Sequence, residues 1–147
     1  MTKQLKIGTL FSGIGAFEQA VKRSKINHKI VFANDIDKYC KQSYDANYKY
    51  MVWYDDIVKM QGSKYKNKID ILVGGSPCQS FSIAGERKGL DDPRGKLIEE
   101  YIRIVREIQP KVFIFENVKG LLTLKSGKVW NKIIFYEVYM NKNWEQN

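Results

Sequence analysis

The stretch DILVGGSPCQSFS, residues 70–82, decides the fold that this sequence predicts. Its first half has the apolar character of a strand and runs into two glycines, after which Pro77 stiffens the backbone before Cys78. A second apolar stretch, VFIFENVKG at 112–120, repeats the arrangement and delivers an acid, Glu116. Because ligands bind at the carboxyl ends of strands in α/β proteins, the sequence predicts a site that combines a thiol with a carboxylic acid.

Strand patterns and helical patterns alternate along the chain, which favours an α/β fold with a doubly wound, mainly parallel sheet. The last predicted strand is apolar throughout, and this predicts burial on both of its faces. The polar segment at 62–68 is predicted to be a solvated connection. The predicted strands are 5–10, 29–34, 51–56, 69–75 and 111–116, the predicted helices are 16–24, 37–48, 96–108 and 129–144, and the buried stripe of the third helix is Leu97, Tyr101, Ile104, Val105 and Ile108.

Composition limits the classes to which the chain can belong. Its 147 residues, 44% of them hydrophobic, fit a single domain with a real core. No apolar run approaches the ~20 residues of a membrane span, and no secretory segment is visible, so a cytoplasmic location is expected. Two distant cysteines, Cys40 and Cys78, and one histidine, His28 in a polar turn, argue against a disulfide or a metal site.

The formal net charge is +9, with twenty lysines and five arginines. A basic balance suits a polyanionic partner such as a nucleic acid. Lys, Asn, Ile and Tyr are all abundant, however, and a bias towards A/T-rich codons explains the lysine excess equally well. The charge therefore supports nucleic-acid binding without establishing it.

A glycine turn, FSGIG at 11–15, follows the first strand and opens the first helix, which is the position used by nucleotide-type cofactors. It is not the dinucleotide pattern, because position 18 is glutamate. A ligand with an amino-acid end and an adenosine suits this turn, while a turn that needs glycine for geometry alone is the alternative. Asp35 follows about twenty residues later, where an acid can take ribose hydroxyls.

The order and spacing of five motifs resemble the DNA cytosine-5 methyltransferases. The motifs are FSGIG at 11–15, NDID at 34–37, DDI at 55–57, SPCQSFS at 76–82 and ENV at 116–118. The resemblance covers roughly residues 5–125, and implies an S-adenosylmethionine-dependent, Rossmann-like methyltransferase fold. The family's Q-x-R-x-R motif, target-recognition region and last two motifs do not occur before Asn147. We therefore expect one truncated domain, 1–147, whose sheet is incomplete at the C-terminal edge.

S-adenosylmethionine is the cofactor that the resemblance implies, without a metal. It assigns the ribose hydroxyls to Asp35, adenine packing to Ile36, and the exocyclic amino group of adenine to Asp56. Asp37 and Asp55 are expected to be ordinary helix-starting or surface acids. The cofactor-binding residues implied in this way are Phe11, Ser12, Gly13, Gly15, Asp35, Ile36, Asp56, Ile57 and Pro77.

Two catalytic residues follow from the same resemblance. Cys78 is implied to be the nucleophile that adds to C6 of a cytosine flipped out of duplex DNA, while Glu116 donates a proton to N3. C5 then accepts the methyl group, and loss of the C5 proton releases Cys78. Arg87 or Lys88 is expected to favour the thiolate. The residues expected in the loop that meets DNA are Gln79, Ser82, Arg87, Lys88, Arg94 and Asn117.

Other functions compete with this interpretation. A thiol hydrolase needs a histidine beside Cys78, and His28 lies on the wrong side of the second strand. The tRNA-methylating branch of the family uses the same chemistry, but its usual loop differs from SPCQSFSIAG at 76–85, so DNA is favoured. The stronger rival is a non-catalytic remnant, or an incomplete subunit that binds cofactor. Such a subunit would associate with itself or with a companion chain carrying the missing motifs.

Overall fold

Five parallel strands form one sheet in a computed structural model that describes residues 3–49, 51–77, 96–123 and 131. The order β3-β2-β1-β4-β5 reverses direction between β1 and β4, which is the topological switch point where such sheets bind ligands. The doubly wound parallel sheet is therefore confirmed. The strands are β1 (Leu5–Leu10), β2 (His28–Asn34), β3 (Val52–Tyr54), β4 (Ile71–Gly74) and β5 (Val112–Phe115).

Helices α1, α2 and α3 lie between strands, and their observed bounds lie within one residue of the predicted ones, whereas the short helix α4 was not predicted. The helix predicted at 129–144 lies outside the described residues apart from Asn131. No helix among the described residues is long and apolar enough to cross a membrane. The helices are α1 (Ala16–Arg23), α2 (Lys38–Asn47), α3 (Lys96–Ile108) and α4 (Gly120–Thr123), and two short 3-10 turns occupy Ile57–Lys59 and Gly62–Tyr65.

The described residues divide into two compact units. The first contains 3–49, 51–75 and 103–116 and holds the sheet, while the second contains 76–77, 96–102, 117–123 and 131. The stripe predicted for α3 is buried except at its first member, Leu97, which is half-buried. The expectation of one domain over the whole chain stays a prediction. The buried apolar residues of the first unit include Ile7, Leu10, Phe32, Tyr44, Leu72, Ile104 and Ile108.

Two local predictions were wrong. In β5, Val112 is 51% and Ile114 44% exposed, because side chains alternate between faces and the described residues leave this face largely uncovered. His28 does not lie in a turn but begins β2, where it pairs with Leu5 of β1 and is half-buried. The connection predicted at 62–68 is largely exposed, as expected, but begins with a 3-10 turn.

This 3-10 turn is held by partners distant in sequence. The Gly62 N–H donates to Glu107 Oε2 at 2.7 Å, and the Tyr65 ring lies 4.7 Å from that of Phe32. Phe32 also approaches β1 so closely that a Cβ added to Gly8 would lie 2.3 Å from its ring. The strand register shifts between Ile7 and Gly8 at this point, and glycine is therefore required by packing.

Asp70 lies at the amino edge of the sheet, just before β4, and is buried. Its Oδ1 accepts from Lys111 Nζ at 2.5 Å and from Lys3 Nζ at 3.4 Å, and its Oδ2 accepts from the Lys6 N–H at 2.9 Å. The hydrogen bond from Lys111, followed by that from Lys6, holds the pKa of Asp70 well below its usual range. This buried charge is fully partnered and ties together the starts of β1, β4 and β5.

Candidate functional site

The glycine turn adopts a strained backbone at the carboxyl end of β1. Phe11 has a φ of 53°, which non-glycine residues rarely adopt, and Gly13 and Gly15 have φ values of 55° and 90°. The Ser12 N–H and hydroxyl both donate to the Asn34 carbonyl oxygen at 2.9 Å, so the turn is attached to the end of β2. A Cβ added to Gly13 would meet no atom within 4 Å, which leaves open space beside the backbone.

Asp35 holds this turn in place. Its Oδ2 accepts from the Gly13 N–H and its Oδ1 from the Asp37 N–H, both at 2.9 Å. Ile36, predicted to pack on adenine, is 80% exposed at the same strand end. The structure thus brings Gly13, Asp35 and Ile36, all predicted to bind the cofactor, to neighbouring strand ends. Asp37 caps α2, because its side chain accepts from the N–H groups of Tyr39 and Cys40.

The DDI segment lies after β3. Asp56 caps the following 3-10 turn by accepting from the Val58 N–H at 2.9 Å, and Ile57 is buried. Asp55 is exposed and accepts from Trp53 Nε1 at 2.8 Å. Asp56 is thus built into the 3-10 turn, while its neighbour Asp55 is a surface acid.

Arg103 of α3 supports the same segment, and sequence analysis missed it. Its guanidinium donates to the carbonyl oxygens of Ile57 at 2.7 Å and Met60 at 3.1 Å, and also to Glu107 Oε1 at 2.8 Å. In the sequence, Arg103 lies on the polar face of α3, one turn from Glu99 and Glu107, so no local pattern marks this role. Its role in holding the DDI segment depends on contacts more than forty residues away.

A cavity of about 400 Å³ opens at the switch point of the sheet. Its walls come from the end of β1, the glycine turn, the start of α1, the end of β4 and β5. Phe11, Ser12 and Glu116 line it, whereas Asp35 and Asp56 lie outside its walls. Two predicted turn residues, Phe11 and Ser12, and the predicted acid Glu116 therefore share one cavity within the first unit.

Glu18 lines this cavity and was not among the predicted site residues. It is 1% exposed, and its Oε1 accepts from Thr9 Oγ1 at 2.6 Å and from Tyr44 Oη at 2.7 Å. Its Oε2 is buried with no hydrogen-bond partner among the described residues. Burial, followed by the charge of Glu18, raises the pKa of Tyr44, so Tyr44 remains a donor. The sequence feature that could have indicated Glu18 is that it occupies the position of the third glycine in the dinucleotide pattern.

Glu116 extends from the end of β5, where its N–H donates to the Gly74 carbonyl oxygen at 3.0 Å. A Cβ added to Gly75 would lie 2.8 Å from Glu116 Oε2, so glycine makes room for this acid. In the second unit, Asn117 Nδ2 donates to the carbonyl oxygen and Oγ of Ser76, both at 3.1 Å. Pro77 is exposed. The predicted residues Cys78, Gln79, Ser82, Arg87, Lys88 and Arg94 lie outside the described residues.

These features fit S-adenosylmethionine. The cofactor carries an ammonium group and a sulfonium, and the charged residues lining the cavity, Glu18 and Glu116, are both acidic. The open space beside Gly13 allows a ligand to approach the backbone closely. The unpartnered oxygen of Glu18 also needs a donor that the described residues do not supply.

Comparison with known proteins gives the same family. The family model for C-5 cytosine-specific DNA methylase matches residues 5–138. Among curated relatives, the orphan methyltransferase M.SPRI of Bacillus phage SPR is 45% identical over 130 residues, which are 87% of this chain and 29% of the relative. The type II methyltransferase M.HpaII of Haemophilus parainfluenzae is 38% identical over 125 residues, which are 85% of this chain and 34% of the relative.

Solved structures agree on the fold. A DNMT2 variant of Spodoptera frugiperda has a TM-score of 0.70 at 28% identity, over 90% of this chain and 40% of that one. The Entamoeba histolytica methyltransferase EhMeth has a TM-score of 0.72 at 21% identity, over 95% and 45% of the two chains, and shows the fold alone. The chain spans about a third of the length of these curated relatives. It belongs to the C-5 cytosine-specific DNA methylase family, whose methyl donor is S-adenosylmethionine.

Proposed function

We propose that this chain is the cofactor-binding and catalytic part of a DNA cytosine-5 methyltransferase of a restriction-modification or phage-type system. The supporting observation is the convergence of the glycine turn, Glu18 and Glu116 on one cavity at the switch point of the sheet. Family membership supplies the reaction class, and the acidic lining suits a cationic methyl donor.

Residues at three strand ends would hold the cofactor. The turn from Phe11 to Gly15 supplies a backbone that can be approached closely, with Gly13 giving the open side. Asp35 is proposed to accept from the ribose hydroxyls, because each of its oxygens has one backbone donor and a lone pair to spare. Exposed Ile36 is proposed to cover adenine, while Asp56 accepts from its amino group. Ile57 and Pro77 complete the proposed set.

The chemistry is proposed to follow the family's pattern. The Cys78 thiolate adds to C6 of the target cytosine as Glu116 donates a proton to N3, so that negative charge does not accumulate on the ring. Bound S-adenosylmethionine would supply an electrophilic methyl group to C5 and leave as S-adenosylhomocysteine. Removal of the C5 proton by a base then restores the C5–C6 double bond and expels Cys78 as the thiolate, and N3 returns its proton to Glu116.

Duplex DNA with a flipped cytosine is the proposed substrate. Gln79, Ser82, Arg87, Lys88 and Arg94 are proposed to meet it, and Asn117 orients their loop through Ser76. Because phosphate contacts carry no sequence information, the 147-residue chain should bind unrelated duplexes alike and lose affinity steeply with salt.

A second chain, or a second copy of this one, is proposed as a partner. The relatives extend well beyond the matched 130 residues, and base recognition is proposed to reside in the remainder. Within the described residues, Val112 and Ile114 of β5 are exposed, and such apolar surface can be covered by another chain. A cytoplasmic location is proposed along with this function.

Calorimetry with S-adenosylhomocysteine tests the pocket by means of matched acids. We expect Asp56→Ala to weaken binding by about tenfold or more, while Asp55→Ala, one residue away and on the surface, changes nothing. Asp35→Ala should also weaken binding. If the folded chain shows no binding at all, the proposed function is wrong. If both Asp variants bind like the wild type, their assigned roles are wrong.

Methyl transfer to DNA tests the chemistry and the partner. We expect the 147-residue chain to transfer no methyl group alone, and to do so when the C-terminal part of a relative is added. The Cys78→Ser variant should remain inactive in the reconstituted mixture while it still binds cofactor. Light scattering should show association, and an active monomer would contradict the need for a partner.

A further inference from the structure

Only one of the two carboxylate oxygens of Glu18 has hydrogen-bond partners among the described residues. Thr9 and Tyr44 both donate to Oε1, at 2.6 and 2.7 Å, so these two donors hold the side chain in one orientation. Oε2 is buried and has no partner among the described residues. Buried polar atoms are almost always hydrogen-bonded, so this exception needs an explanation.

No basic side chain explains it within the described residues. None of their ion pairs includes Glu18, and no described lysine, arginine or histidine lines the cavity. The second acid on the wall, Glu116, adds negative charge instead. A buried carboxylate is stabilised when a donor or a cation reaches it. Glu18 lines the cavity, so a donor that enters the cavity lies beside its side chain.

We infer that Glu18 binds the α-ammonium group at the methionine end of S-adenosylmethionine. This inference rests on the proposed function. An ammonium group offers three N–H donors and a positive charge, whereas the sulfonium offers no N–H, so the unpaired acceptor selects the ammonium. The adenosine end is left to Asp35 and Ile36, which lie outside the cavity wall and beside the glycine turn.

The anchored geometry makes Glu18 a specificity residue. Because Thr9 and Tyr44 fix Oε1, the side chain does not need to reorganise when a ligand arrives, and the full strength of a charge-assisted hydrogen bond is available. Ligands that keep the adenosine but lack the amino group should therefore bind poorly.

Calorimetry with two ligands tests this. One ligand is S-adenosylhomocysteine, and the other is its analogue in which hydrogen replaces the α-amino group. We expect the wild-type chain to bind the first about tenfold or more tightly than the second. In Glu18→Gln, which keeps an acceptor for Thr9 and Tyr44, the ratio should fall to about threefold or less. The matched control Asp45→Asn changes an exposed acid of α2 and should leave the ratio unchanged.

The outcomes separate this inference from the proposed function. If the wild-type chain binds neither ligand, the proposed function fails. If it binds both ligands alike, the cofactor site stands and the role of Glu18 is wrong. Equal weakening of both ligands in Glu18→Gln would also overturn the role, because it would show only a supporting contact. Circular dichroism checks that the variant is folded; if it is not, the wild-type ratio alone decides.

Discussion

Two buried acids lie at opposite edges of the same sheet, and they are treated differently. Asp70, at the amino edge, is matched by two lysines and a backbone N–H. Glu18, behind the carboxyl edge, has two neutral donors on one oxygen and none on the other among the described residues. An acid that serves the fold is satisfied within the chain, whereas an acid that serves a ligand is held in place and left incomplete. The number of hydrogen-bond partners thus distinguishes the structural acid at the amino edge, Asp70, from the acid beside the cavity, Glu18.

The largest expected loss of stability comes from substituting a glycine of β1, Gly8, and it is compared with Gly13 in the following turn. Gly8→Ala should lower the free energy of unfolding by about 3 kcal/mol, because the new Cβ would lie 2.3 Å from the buried, ring-packed Phe32. Gly13→Ala has open space and should cost about 1–2 kcal/mol, from its positive φ alone. It should nevertheless weaken cofactor binding. Urea unfolding and calorimetry measure the two effects, and equal losses of stability would contradict the distinction.

Neutralising the two acids compares the edges directly. Asp70→Asn should cost about 1–2 kcal/mol of stability, a modest value because Lys3 and Lys111 are 70% and 64% exposed. Glu18→Gln removes a charge without a counterion and should cost less. Asp45→Asn, in an exposed pair with Lys41, should cost about 0.3–0.5 kcal/mol. Urea unfolding measures these losses of stability. If Glu18→Gln lost more stability than Asp70→Asn, Glu18 and not Asp70 would be the acid that supports the fold.

The pH dependence of stability tests the same comparison. The folded-state pKa of Asp70 is lowered, so its contribution is complete above the unfolded pKa of about 3.9 and is lost as pH falls towards the folded value. Between neutral pH and pH ~3, the wild-type chain should therefore lose up to about 1–2 kcal/mol more stability than Asp70→Asn. Urea midpoints measured across this range test the prediction. Parallel curves for the two proteins would show that Asp70 does not carry the effect.

The last test concerns the two hydrogen bonds that hold Glu18 in place. Tyr44→Phe should cost about 1 kcal/mol by removing one of the two donors to Oε1. It should also weaken S-adenosylhomocysteine binding, because Glu18 is then less firmly held. Tyr48→Phe is the matched control, since its hydroxyl donates to the Gly15 carbonyl oxygen and not to Glu18. Calorimetry measures the affinity of both variants for S-adenosylhomocysteine. A larger loss of affinity in Tyr48→Phe than in Tyr44→Phe would contradict the role of Tyr44 in holding Glu18.

Local patterns predicted the sheet because each of its strands is marked by its own residues. The strand at 5–10 and the helix at 96–108 were predicted to the residue. The uncovered face of β5 was missed, because an apolar run does not say whether a second layer exists to bury it. The turn at Gly62 was missed because its partner, Glu107, lies 45 residues away.

The site shows the same limit. The strand-end positions of Asp35 and Glu116 identified them as candidates, because the carboxyl edge of a parallel sheet is where ligands bind, and the family resemblance added Asp56. In the sequence, Glu18 is noted only as the residue that breaks the dinucleotide pattern, and only the fold reveals that Thr9 and Tyr44 both donate to it. Whether a polar side chain is satisfied depends on residues brought together from several elements, and sequence spacing does not record it.

Asp35 has one further consequence, which concerns the lifetime of the chain. Its carboxylate joins the loops after β1 and β2 through two backbone N–H groups, so neither loop can open without disturbing the other. A ligand held there therefore acts by mass action on the whole folding equilibrium. At one hundred times its Kd it adds about 2.7 kcal/mol, which is a large part of a small domain's stability. Because proteases cleave the opened chain, ligand bound at this turn should slow digestion of the purified protein in proportion to that stabilisation.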